Sequence, residues 1–125
     1  MRTPEIIIDA EIQLQDITVP FYKILCQMEP YGPENMRPVF VARHVYDTGY
    51  SRLIKDAHIK FCLRQNQTFL DGIGFNMAEK YNLLRPGQPV DIVFNIDENE
   101  WNGEKKLQLK VIDVKASQHL PLSSN

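Results

Sequence analysis

Asn102-Gly103 lies between two runs that alternate apolar and polar residues, Ile92 to Trp101 and Glu104 to Val114. No other feature of the chain narrows its fold so much. A two-residue type I′ turn needs positive φ at both central positions, which Asn and Gly adopt at low cost, so the dipeptide predicts a tight antiparallel hairpin. Folding on it sets Phe94 against Val111 and Ile96 against Leu109, with Glu100 opposite Lys105 and Asn99 opposite Lys106. Directly opposed side chains of this kind are the unit of sheet stabilisation. The match fails at Ile92 opposite Asp113, which predicts a bulge or the end of pairing at that point.

Three further strand regions precede this hairpin. Val39 to Tyr46 is β-branched and aromatic and ends at the turn Asp47-Thr48-Gly49. A second region, Ser51 to Arg64, is expected to bulge near Asp56-Ala57. Its latter half places Ile59, Phe61 and Leu63 on one face and His58, Lys60, Cys62 and Arg64 on the other. After Gln65-Asn66-Gln67, a third strand over Thr68 to Phe75 is expected with Ile73 and Phe75 inward and Gly72 and Gly74 on the opposite face. Asn76 is placed to cap a short helix, Met77 to Leu84, with Glu79 completing a capping box and Arg85-Pro86-Gly87 as the stop. Ahead of the strands, Glu5 to Ile12 reads as a short strand or an extended arm. A helix capped by Thr18 follows, with Pro20 in its first turn and an apolar stripe of Phe21, Ile24, Leu25 and Met28, closed by the Pro/Gly-rich loop Glu29 to Asn35. This order predicts a mainly β chain: a five-stranded OB-fold barrel with a short helix between strands three and four, preceded by an N-terminal arm and helix. The expected division is arm, helix and loop over 1–37, barrel over 38–116 and a flexible tail over 117–125.

At 125 residues with 43% apolar side chains, the chain suits a single core. No apolar run reaches the roughly 18–20 residues of a membrane helix, and the start lacks the layout of a secretory signal, so no membrane partner is expected. Two cysteines, Cys26 and Cys62, without a CxxC pair, fit a reducing, cytoplasmic compartment better than a disulfide framework or zinc ribbon. The net charge is −2, yet charge is segregated. Residues 1–36 carry two basic and six acidic groups, residues 37–64 six and two, and residues 65–125 six and eight. A basic segment within a near-neutral domain is the footprint of an anionic partner.

Met28-Glu29-Pro30-Tyr31-Gly32-Pro33-Glu34-Asn35-Met36-Arg37-Pro38-Val39-Phe40 resembles the LEPFGPGNPxPVF signature joining a helix to the first barrel strand in RecJ-type single-stranded-DNA exonucleases. Tyr31, Glu34 and Met36-Arg37 depart from it. Weaker similarity lies in His58-Ile59-Lys60-Phe61, Gly72-Ile73-Gly74-Phe75 and Asn99-Glu100-Trp101-Asn102-Gly103. The resemblance runs from about Ile8 to Val114. It implies a module of DNA repair and recombination whose parent cuts single strands in a separate DHH-type core holding Mn²⁺ or Mg²⁺. This chain has no Asp-His-His sequence, so it is expected to hold no catalytic residue, metal or cofactor of its own. Its expected partners are single-stranded DNA and that core, and its expected role is to guide the strand. A rival expectation makes it a protein-interaction domain that docks on the core or on a replication or repair partner.

OB folds that bind single strands combine a positive groove with exposed aromatic faces along strands two and three and the flanking loops. The candidates are Arg43, Arg52, Lys55, His58, Lys60 and Arg64 in the basic segment, Gln108 and Lys110 on the opposite wall, and Trp101 at the hairpin tip. Plainer readings stand beside each. The cationic row could be a solvated face, Lys105 and Lys106 could simply pair with Glu100 and Asn99, and Trp101 could cover the barrel end. Gly72 and Gly74 could either open a bare surface for a ligand or relieve curvature. Asp97, Glu98 and Glu100 alternate faces and so read as a solvated acidic edge.

Overall fold

The computed structural model describes residues 5–28 and 37–118. In chain order it contains β1 (Ala10–Glu11), a 3-10 turn (Leu14–Asp16), α1 (Val19–Gln27), β2 (Phe40–Asp47), β3 (Arg52–Ile54), β4 (His58–Gln65), β5 (Thr68–Gly74), a 3-10 helix (Ala78–Leu83), β6 (Val90–Trp101) and β7 (Glu104–Ala116). Five strands close on themselves in the order β2, β6, β7, β5, β4 and back to β2. All five neighbours are antiparallel except β5 and β7, which run parallel through Gly72–Leu109 and Ile73–Lys110. This is the predicted OB barrel. The signature loop at residues 29–36 lies outside the described residues, as do residues 119–125 of the polar tail.

Closure depends on β2 serving two partners. Phe40 to Ala42 and Val45 pair with β6, and its last two residues, Tyr46 and Asp47, pair with Arg64 and Leu63 of β4. The β6 register shifts between Ala42 and Val45, with His44 at a φ of 57°, just before β2 changes partner after Val45. A bulge of this kind bends the strand and re-aims the residues beyond it. The Gln65 side chain secures the seam, donating to the Arg43 carbonyl at 2.6 Å and accepting from the Leu14 N–H at 2.7 Å.

The β6–β7 hairpin has the expected register, including Asn99–Lys106 and Glu100–Lys105, and Asn102 and Gly103 both take positive φ. The expected irregularity is there too: Phe94 pairs with Val111 but Val93 pairs with Asp113, leaving Ile112 as the extra residue. That bulge returns Ile92 to face Val114, and both are fully buried. Ile59, Phe61 and Leu63 from β4 fill the same core with Phe94 and Leu109. Each such side chain contributes roughly 1.5–3 kcal/mol by leaving water.

Four local expectations need correction. Arg52–Ile54 and His58–Gln65 are two strands of a hairpin rather than one bulged strand, because Lys55 and Asp56 both take positive φ and turn the chain back. Asn76 also has positive φ and does not cap the 3-10 helix. Its N–H donates to Nδ1 of His58 at 2.9 Å instead, and the helix begins after Met77. In α1, Thr18 accepts from the Phe21 N–H as expected, but the packed stripe is Phe21, Tyr22 and Leu25, while Ile24 and Met28 face outward. Finally, β5 has the opposite parity: Gly72 and Gly74 point into the barrel, Ile73 outward, and Phe75, just beyond the strand, is 56% exposed.

The two glycines are there because the core leaves no room. A Cβ at Gly72 would meet the Leu109 carbonyl oxygen at 2.9 Å, and one at Gly74 would meet the Phe61 ring at 2.9 Å as well as the Met77 sulfur. The Leu109 carbonyl belongs to a strand held in the ring, so it cannot step aside cheaply. Gly72→Ala is therefore expected to destabilise the fold by about 1–3 kcal/mol. A urea unfolding curve indistinguishable from that of the unmodified chain would show that the glycine is dispensable.

Candidate nucleic-acid interface

Cross-strand partners project on the same side of a sheet. Since Ile59, Phe61 and Leu63 are inward, their partners Gly74, Gly72 and Leu70 are inward as well. The alternate pairs, Lys60–Ile73, Cys62–Asp71 and Arg64–Phe69, must then face out. On β7, Leu109 is inward and Gln108 and Lys110 face out beside Asp71 and Ile73. The outer face of β4, β5 and β7 thus has cations on its two flanking strands, with Phe69, Asp71 and Ile73 down its middle.

This face forms one wall of an open groove of about 580 Å³, lined by Lys60, Phe69, Asp71, Lys105, Lys106 and Gln108. The other walls come from the start of α1 and the turn-proximal part of the β6–β7 hairpin. Phe69 is 64% exposed within it. Among the described residues, Lys60, Lys105 and Lys106 form no ion pair. Lys105 and Lys106 hold their expected register opposite Glu100 and Asn99, but register does not make them a structural ion pair. Their ammonium groups are open to an anion.

The candidate residues separate into groups. Arg52 pairs across from Lys60, and Lys110 flanks Ile73, so these three lie in one row across the sheet. Gln108 lies in the groove. Arg64 is on the same face, but its guanidinium stacks over Tyr46 at 5.1 Å and donates to the Asn66 carbonyl at 3.1 Å. His58 has Nδ1 engaged by Asn76 and its ring edge-on to Phe75, 5.4 Å between centroids, so it secures the turn after β5. Lys55 lies in the β3–β4 turn, outside the groove lining. Trp101, 76% exposed, is at the hairpin tip with Glu104 opposite.

Arg43 does not join them. It lies on β2 and donates to Glu11 at 2.8 Å and Asp91 at 2.9 Å, and these two carboxylates push its pKa further up. The depression around it, about 500 Å³, also holds Asp91, Asp113, Glu5 and Lys115, so that side offers phosphate no net attraction.

The opposite parity of β5 exposes two aromatic residues that the sequence reading does not place on the surface, Phe69 and Phe75. The signal was available. Asn66-Gln67 is a two-residue turn between Gln65 and Thr68, and folding the strands on it sets Gly72 opposite the inward Phe61.

Other chemistries find no support in the arrangement. Among the described residues no group of three or more His, Cys, Asp or Glu side chains is placed to hold a metal ion. Burial, then the neighbouring Asp71 carboxylate, push the Cys62 thiol up from its ordinary pKa, the reverse of what a thiolate nucleophile needs.

The family model of the RecJ OB domain matches residues 8–113. A single-stranded-DNA-specific exonuclease RecJ from Bacillus subtilis is 31% identical over 112 residues, which are 89% of this chain and 14% of that protein. Its Salmonella typhimurium counterpart is 24% identical over 112 residues, 88% of this chain and 19% of that protein. The chain therefore spans less than a fifth of either relative. Among solved structures, RecJ from Thermus thermophilus with Mn²⁺ superposes with a TM-score of 0.57 at 23% identity, over 79% of this chain and 14% of that one. An asparaginyl-tRNA synthetase from Entamoeba histolytica superposes with a TM-score of 0.51 at 15% identity, over 67% of this chain and 21% of that one. Both show a shared fold.

The two thiols should respond differently to a disulfide reagent at pH 8. Cys26 is exposed and should react fast, whereas Cys62 should react slowly and gain rate as pH rises, because its raised pKa leaves less thiolate at pH 8. Equal rates at both thiols would contradict the burial described for Cys62.

Proposed function

The chain belongs to the RecJ OB-domain family, and from that premise we propose that it binds single-stranded DNA in the groove on the β4–β5–β7 face. In this reading it is the non-catalytic strand-guiding module of a RecJ-like exonuclease, and the phosphodiester chemistry belongs to a separate DHH-type core. The observation that carries the reading is the meeting of Lys60, Lys105 and Lys106, which form no ion pair among the described residues, around the exposed ring of Phe69. Ammonium groups at the flanks take phosphates irrespective of sequence, and a bare ring takes the face of an unpaired base, worth about 1–3 kcal/mol. A duplex hides those base faces, so single strands are favoured. The relatives' description as single-stranded-DNA-specific supports the same ligand.

Three phosphate contacts on a chain of net charge −2 correspond to weak binding, on the order of micromolar or above at physiological salt. Tethering to a catalytic core makes such affinity sufficient, because the strand then meets the module at high effective concentration. A docking role on the core is supported by a different surface: Ile24 and Met28, which do not line the groove, leave an apolar face of α1 exposed. The two roles use separate sides of the chain and are compatible.

Fluorescence polarisation with a labelled thymidine oligonucleotide of about 12 residues tests the reading. The logarithm of affinity should fall against the logarithm of salt with a slope of about −2, as expected for three phosphate contacts on a single strand. Lys60→Glu with Lys106→Glu should abolish binding, Phe69→Ala should weaken it about tenfold, and Arg43→Ala should leave it within about twofold. Salt-independent binding, or loss with Arg43→Ala and not with the lysine pair, would refute the proposed groove.

A further inference from the structure

One residue in the groove does not serve phosphate binding. Asp71 faces out from the middle strand, two residues along β5 from Phe69 and therefore roughly 7 Å away on the same face. A carboxylate there opposes a phosphate that Lys60 and the hairpin lysines attract. The fold does not require it either. Asp71 is exposed, and among the described residues it forms no ion pair. Its neighbour across the strand is the Cys62 thiol, a weak donor that leaves most of the carboxylate's acceptor sites open. On its other side lies Gln108 of β7, one residue before Leu109 just as Asp71 is one before Gly72, so the two side chains stand about one strand spacing apart, roughly 4.8 Å.

A pure acceptor beside an amide that can both donate and accept, next to a stacking ring, is the complement of one base edge. Resting on the reading that this groove takes single-stranded DNA, we propose that Asp71 and Gln108 read the Watson–Crick edge of an unpaired guanine stacked on Phe69. Guanine presents N1–H and the N2 amino group side by side, which the two carboxylate oxygens accept as a fork, while its O6 accepts from the Gln108 amide. Adenine and cytosine present one amino donor beside a ring-nitrogen acceptor and satisfy one arm of the fork. Thymine presents a single imino donor between two carbonyl oxygens, both of which the carboxylate repels. The module accordingly prefers strands with guanine at the stacked position, while its phosphate contacts remain indifferent to sequence.

Polarisation competition with three oligonucleotides tests this: one all thymidine, one with a single central deoxyguanosine, and one with deoxyinosine at that position, which lacks the N2 amino group. The unmodified chain should bind the guanosine strand about tenfold more tightly than the thymidine strand, and inosine should forfeit most of that gain. Asp71→Asn should erase the preference for the guanosine strand over the thymidine strand. Gln108→Glu should erase it by facing O6 with a second carboxylate. Equal affinity for all three strands in the unmodified chain, or a preference that survives Asp71→Asn, overturns the proposal. If binding to every strand is still lost on Lys60→Glu with Lys106→Glu, the groove stands and base reading alone fails. If no strand binds even at low salt, both fail.

Discussion

The pairing of Phe61 with Gly72 decides where this chain can meet a ligand. Phe61 is fully buried, so its partner must face the same interior, and a side chain at Gly72 would run into the Leu109 carbonyl. Once those two residues point inward, alternation along each strand fixes the rest. Lys60, Arg64, Phe69, Asp71 and Ile73 have to face out, and the parallel pairing of β5 with β7 adds Gln108 and Lys110 to the same surface. The cationic flanks and the exposed Phe69 ring between them are thus consequences of how the core is filled. A one-residue slip of β5 would bury Phe69 and Asp71 and dissolve the face.

Charge then distinguishes the two sides of the barrel. A net charge of −2 hides a division of labour among the cations. On β2, Arg43 is bound by Glu11 and Asp91, which join the N-terminal strand to the sheet, so its charge serves the structure. On β4 and β7 the lysines face water, where a phosphate can reach them. Along the β6–β7 hairpin the acidic groups Glu98 and Glu100 are on β6, while Lys105 and Lys106 of β7 line the groove. Counting basic residues by position along the chain cannot see this, since Arg43 and Lys60 belong to the same basic segment and to different faces.

Much of the fold was legible because local rules were strong. Asn102-Gly103 determined a register that holds from the turn to the bulge, and the failed match at Asp113 marked the bulge that restores Val114 to the core. Thr18 and Pro20 announced α1. The features that escaped were decided by tertiary neighbours. Ile24 and Met28 fit a helical stripe, yet only a short part of α1 touches the barrel, through Phe21, Tyr22 and Leu25. Asn76 is a good capping residue in isolation, but His58 offers its N–H a partner and the chain turns through positive φ instead. Lys55-Asp56 has no glycine to announce the tight turn it makes. At the site, Lys60, Gln108 and Lys110 were placed on the outer face by alternation, where the structure has them. Phe69 was lost because apolar residues were assumed to face inward on a strand whose glycines hold the interior positions.

The central claim is that the outer face of β4, β5 and β7 is where a single strand lies, and amide chemical shifts of the ¹⁵N-labelled chain test it most directly. On titration with a thymidine oligonucleotide at low salt, the account predicts shifts concentrated at Lys60 to Arg64, Phe69 to Ile73 and Lys105 to Lys110, with Val41, Arg43 and Val93 unmoved. Shifts centred on Val41, Arg43 and Val93 instead, or spread evenly around the barrel, would contradict it.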